Sequence, residues 1–308
     1  MPCGVPVFRL LAGSLCLLGL LAAPVLAAEA PLPVFVSILP QKYFVERIGG
    51  DQVKVAVLVG PGRSPATYEP TPKQMAELSQ ARLYFSVGVP FETVWMKRLA
   101  ANNPRMKVVD SRRGIQLLSM TSHHHHDDEK HPAGDHHAAH DQGQGLPDPH
   151  VWTSPARVRI MAENILAALI AAAPDHQAEF RANCKKFVAD LDALEREIRE
   201  RLANLTNRRF LVFHPSWGYF AHDFGLDQIA IESSGKEPGA KALAALIQQA
   251  KRDNIRVIFV QRQFSRTAAA TVAASINGRV VAIDPLAEDY FGNLRAVATA
   301  FATAMEKP

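Results

Sequence analysis

Short apolar runs bounded by Gly, Pro or polar residues recur along the chain, separated by stretches whose apolar positions fall at threes and fours. The first pattern predicts buried strands and the second amphipathic helices. From the N-terminal side, Pro33–Pro40, Gln52–Gly60, Arg82–Val89 and Met106–Ser111 read as strands, with helices over Gln41–Gly50, Thr71–Ala81 and Pro90–Asn103 between them. Thr71 is placed to cap its helix, with Pro72 at the first helical position. The alternation restarts after residue 208: Arg209–His214, Gln228–Ser233, Arg256–Gln261 and Arg279–Asp284 are strand-like, and helices are predicted over 217–224, 239–253, 265–277 and 293–305. Alternating strands and helices imply parallel sheets covered on both faces.

Between these halves lie two further helical patterns. One spans Ser154–Ala173. The other, Asp175–Leu205, runs without Pro or Gly, with Phe180, Phe187, Leu191, Leu194, Ile198 and Leu202 spaced at threes, fours and one seven. At 1.5 Å per residue it reaches roughly 45 Å, long enough to bridge two lobes. The predicted fold is therefore α/β: two doubly wound lobes with mostly parallel sheets, joined by one long rigid helix. The expected boundaries are 29–174 for the first lobe, 175–205 for the linking helix and 206–308 for the second lobe. Residues 121–147 have almost no large apolar side chain and read as a loop unable to order itself.

A length of 308 residues with 48% hydrophobic composition agrees with two domains of ordinary size. The first 28 residues stand apart: one basic residue, Arg9, an apolar run, then small residues up to Ala27 and Ala28 form a secretory leader. Its apolar run is shorter than the ~20 residues a spanning helix needs. Leu15 before Cys16 argues against a lipid-bearing cysteine there. Cys3 and Cys16 leave with the leader, so Cys184 remains alone and no disulfide framework is available. The formal charge of +4 is too small and too dispersed to suggest nucleic acid.

Nine of the twelve histidines lie between His123 and His150. Eight of them, His123, His124, His125, His126, His131, His136, His137 and His140, crowd with Asp127, Asp128 and Glu129 into the loop, a composition that binds metal weakly because closing a disordered tract around an ion costs chain entropy. More specific positions follow from the rule that ligands of open parallel sheets bind beyond the carboxyl ends of strands. His214 ends one predicted strand, Asp284 ends another, and His150 stands just before a helix capped through Ser154 and Pro155. Two imidazoles and a carboxylate suit zinc. His176 and His222 fall within helices and are weaker candidates. No HExxH helix, GxSxG elbow, Walker loop or GxGxxG turn occurs, so enzyme signatures are missing.

The strings "ATYEPTPKQM", "DPHVWTSP", "FHPSWGYFAHDFGL", "SGKEPGAKAL" and "AIDPL" resemble, in order and context, the cluster A-I (TroA/ZnuA-like) solute-binding proteins of metal ABC importers, from about Val34 to the C-terminus. That resemblance implies a non-enzymatic periplasmic monomer that holds Zn2+ in the cleft between its lobes and delivers it to a membrane permease. His150, His214 and Asp284 match the family's second, third and acidic ligands, and the imidazole at 214, where manganese branches carry Glu, favours zinc. The first ligand position is Ala66, which cannot coordinate. Water, Glu69 or another nearby carboxylate, or a loop histidine remain as a fourth ligand. Two competing expectations are a zinc-dependent hydrolase using three ligands plus water, and a zinc buffer or adhesin without a transporter.

Overall fold

The computed structural model describes residues 30–120, 146–232, 235–264 and 266–305, together with Met1 and Gly4. The leader expected over 1–28 therefore lies, those two residues apart, outside the described residues, as do all eight loop histidines. Strand β1 (Leu32–Ile38) runs directly into helix α1 (Leu39–Gly49), and β2 (Val53–Val59), α2 (Pro72–Leu78), β3 (Leu83–Ser86), α3 (Pro90–Asn102) and β4 (Lys107–Asp110) follow. The four strands form one parallel sheet in the order β2-β1-β3-β4. Helices α4 (Pro155–Ala172) and α5 (Gln177–Leu202) come next. The remaining elements are β5 (Arg209–Val212), α6 (Gly218–Phe224), β6 (Asp227–Ala230), α7 (Ala240–Arg252), β7 (Val257–Val260), α8 (Arg266–Ser275), β8 (Arg279–Ala282) and α9 (Tyr290–Met305). They build a second parallel sheet, β6-β5-β7-β8, with the same order as the first. In both sheets the central strand has neighbours reached in opposite directions, and the crevice at that switch point opens at the carboxyl ends.

The linking helix is shorter than the 175–205 expected. Pro174–His176 form a single 3-10 turn before it, and at its end the Arg208 guanidinium donates to the carbonyls of Leu202 and Ala203 (3.3 Å each), satisfying acceptors that another helical turn would have used. Cys184 fills the seven-residue gap in the apolar stripe: Phe180, Cys184, Phe187, Leu191, Leu194, Ile198 and Leu202 are all buried. Burial pushes its thiol up to about 11, so Cys184 is a core side chain and not a nucleophile. The stripe is shared by both sheets. Phe44 of α1 meets Phe187 at 5.7 Å and Tyr290 of α9 at 4.9 Å, and one hydrophobic core runs continuously from the first sheet through α5 to the second. A smaller cluster, including Leu211, Ile229, Ile258 and Val272, fills a separate part of the second sheet's surroundings.

Local sequence chemistry sets the helix starts. Thr71 Oγ1 accepts from Gln74 N while Gln74 Oε1 accepts from Thr71 N, the reciprocal pair expected of a capped start after a turn. Ser154 Oγ accepts from Arg157 N and caps α4. Helix α3 begins on Val89, which has no capping side chain; Phe91 N donates instead to Pro65 O (3.1 Å), and the loop before the helix is held by Glu92 of its first turn. Its carboxylate takes Val87 N (2.9 Å) and Gly88 N (2.6 Å) and bonds Ser37 Oγ, whose hydroxyl also meets Tyr84 Oη at 2.6 Å. Burial pushes the Glu92 carboxyl upward, and those donors oppose the rise. Replacing Glu92 by Ala strands the Val87 and Gly88 N–H groups and leaves Ser37 Oγ with Tyr84 alone, and denaturant unfolding should show a loss of about 2 kcal/mol.

Candidate metal centre

The carboxyl ends of the second sheet supply four polar side chains. Just beyond β5 stands His214, and Gln261, one residue past β7 and buried, clamps its backbone: Gln261 Oε1 accepts from His214 N (3.3 Å) and Nε2 donates to His214 O (2.5 Å). Two residues past β6 stands Glu232, buried, whose Oε1 accepts the Nδ1–H of His214 at 2.5 Å. The ring is stacked on Phe264, centroids 5.0 Å apart. A carboxylate can only accept, so His214 carries its proton on Nδ1 and presents the Nε2 lone pair outward. Burial lowers the His214 pKa below the usual 6.5 and the positive field of a protonated His150 would lower it further, while the bond to Glu232 works the other way.

His150 has the same arrangement from a different part of the chain. The chain turns at Asp148, whose Oδ1 accepts both His150 N (2.9 Å) and His150 Nδ1–H (2.6 Å). His150 then opens a single 3-10 turn, Val151–Thr153, before α4. Trp152 donates its indole N–H to Pro285 O (2.7 Å), and Ser154 and Arg157 both bond Asp223 of α6. These ties hold the segment against the second sheet's carboxyl end. The rings of His150 and His214 meet edge to face, centroids 5.2 Å apart. Two imidazoles, 64 residues apart in sequence (214 − 150), thus meet with each Nδ1 on a buried carboxylate.

Asp284 lies two residues past β8, as the strand-end rule expects. Its Oδ1 accepts Leu286 N (2.9 Å) and Gln263 Nε2 (3.3 Å), so this carboxylate also stabilises a turn, and Gln263 is chain neighbour to the Phe264 that stacks on His214. Among the described residues, no three His, Cys, Asp or Glu side chains converge closely enough to hold one ion. Ala66 is exposed on the loop after β2, its N–H on Ser64 Oγ (3.3 Å). Glu69, on the same loop, lines an open cavity of about 620 Å³ with Arg63, Tyr68 and Gln74, and neither site histidine borders that cavity. His222 is exposed and paired with Asp223 (2.9 Å), and His176 rests against Phe180.

The family model described as "ZnuA: Zinc-uptake complex component A periplasmic" matches residues 34–304. The chain belongs to the ZnuA family. Two solved ZnuA structures, one of a deletion mutant with zinc bound, are each 40% identical to this chain and have TM-scores of 0.80 and 0.81. They cover 90% of it, and the matches span 100% and 99% of theirs. The zinc-binding lipoprotein AdcA of Streptococcus pneumoniae is 29% identical over 280 residues, covering 90% of this chain and 54% of that protein, so this chain spans about half of AdcA's length. Members of the ZnuA family are metal-binding solute-binding proteins of ABC importers and not enzymes, which removes the hydrolase alternative.

Sequence reasoning named His150, His214 and Asp284 but passed over Asp148, Glu232 and Gln261. Asp148 stands in the quoted "DPHVW" string and Glu232 one residue beyond the apolar "QIAI" run, yet nothing in either string says which imidazole the carboxylate will meet. Because the folded-state pKa of His214 lies below that of a free imidazole, its neutral ring favours folding above 6.5, and that contribution erodes as pH falls below 6.5. An NMR titration of the His214 ring should give a midpoint below 6.5; a higher midpoint would mean that Glu232 outweighs burial.

Proposed function

We propose that this chain captures Zn2+ in the periplasm, using His150, His214 and Asp284, and hands it as a monomer to the membrane permease of an ABC importer. The observation that carries this reading is the pair of imidazoles 5.2 Å apart, each with its Nδ1 occupied by a carboxylate. A carboxylate behind a ligating imidazole fixes its tautomer and raises its basicity. With Zn–N bonds of about 2.0–2.1 Å and a tetrahedral angle, two imidazoles sharing one zinc bring their centroids roughly 5 Å apart. Burial that keeps His214 neutral favours the form that ligates.

Asp284 joins by releasing one turn contact toward the rings, and its oxygen adds the negative charge that two neutral imidazoles lack. With alanine at 66, water, Glu69 or a loop histidine completes the tetrahedron. The choice of zinc is supported by the zinc in the name of AdcA and by the zinc-bound ZnuA structure. The leader over 1–28 supports export, and the loop histidines supply weaker auxiliary sites that gather zinc before transfer.

Zinc titrated against a chromophoric chelator checks the assignment. The wild-type chain should show one tight site and several weak ones; His150→Ala combined with His214→Ala should lose the tight site and keep the weak ones. Deleting Ser122–Gln144 should do the reverse, lowering stoichiometry while keeping the tight site, and an exchange of these two outcomes would reverse the roles of loop and cleft.

A further inference from the structure

We infer that Gly218 is a positioning residue for the metal site: its missing side chain leaves the space that the Asp148 carboxylate occupies, and through Asp148 it sets the ring of His150. The inference rests on the reading of His150 as a ligand. Gly218 opens α6 and is absent from the residues with positive φ, so its backbone is open to any L-residue. Alanine there would be the better helix former. The reason for glycine is therefore local space. A Cβ at 218 would lie 2.8 Å from Asp148 Oδ2, closer than such atoms pack, and 3.7 Å from Gln228 Nε2.

Neither partner can retreat easily. Trp217 N is held by Gln228 Oε1 at 2.8 Å, which fixes the backbone entering Gly218. Asp148 is pinned on its backbone from two sides: its N–H donates to Leu118 O (2.8 Å), and its carbonyl accepts from Tyr219 Oη (2.9 Å), a hydroxyl that itself accepts from Leu118 N (2.9 Å). The remaining freedom is rotation of the carboxylate. Asp148 and Gly218 both border a cavity of about 320 Å³, shared with His222 and Asp227, which gives the group somewhere to turn. Turning into it takes Oδ1 away from His150 Nδ1. The imidazole then loses the acceptor that fixes both its tautomer and its aim.

Zinc affinity and the melting temperature of the zinc-free protein, measured for Gly218→Ala, Asp148→Ala, the pair together and His150→Ala, test this. Gly218→Ala should weaken zinc binding roughly 10-fold, at the low end for loss of a group that orients a ligand. In the Asp148→Ala background the same change should alter affinity by less than about twofold, because the group it displaces is gone. There it should also raise the melting temperature, since only the gain in helix propensity remains. A merely structural defect would lower stability in both backgrounds. Wild-type affinity in Gly218→Ala, or an equal loss in both backgrounds, overturns the inference while His150→Ala still loses tight binding. Unchanged affinity in His150→Ala overturns the metal-site reading and this inference with it.

Discussion

The site depends on a contact repeated twice, an imidazole N–H on a buried carboxylate. Asp148 does this for His150 and Glu232 for His214, and both carboxylates are almost wholly removed from solvent. In water such a bond would compete with hydration and leave the ring free to turn. Here each carboxylate has one principal partner, so each ring has one orientation. The desolvation that makes an unpaired carboxylate costly is what makes these pairings hold.

That arrangement needs a frame that does not yield. Helix α5 provides it, since its apolar stripe packs against α1 and α4 on the side of the first sheet and against α9 and α6 on the side of the second. The aromatic set of Phe44, Phe187, Tyr290 and Phe291 closes the junction, with Arg47 held over three of the neighbouring rings. A binding protein built on a slender hinge would separate its sheets by bending a few loop residues. Separating these would expose a common core, so the hydrophobic term resists it.

The architecture was legible in the amino-acid pattern because parallel strands buried on both faces are continuous apolar runs, and each of the eight strands among the described residues was marked by the Gly, Pro or polar residues that bound it. Helix ends differed by up to three residues, and at the end of α5 the deciding group is a side chain just past it: Arg208 takes the Leu202 and Ala203 carbonyls, a bond that periodicity does not encode. At the site, strand-end placement picked out His214 and Asp284, and both lie within two residues of a strand end. The partners of the histidines were not legible, since Glu232 lies 18 residues beyond the imidazole it orients and the pairing of β5 with β6 is what brings the two together. Asp284 before Pro285 also reads as the start of a turn, and its Oδ1 does accept Leu286 N (2.9 Å).

Trp152, two positions after His150, gives its indole proton to the carbonyl of Pro285, the residue after Asp284, in a buried setting. The two turns that carry these side chains are thereby stitched together. Pulling them apart would strand a donor and an acceptor away from water, at a cost of about 1–3 kcal/mol. A single side chain beside these turns can swing without breaking that bond, whereas parting the stitched walls cannot avoid it.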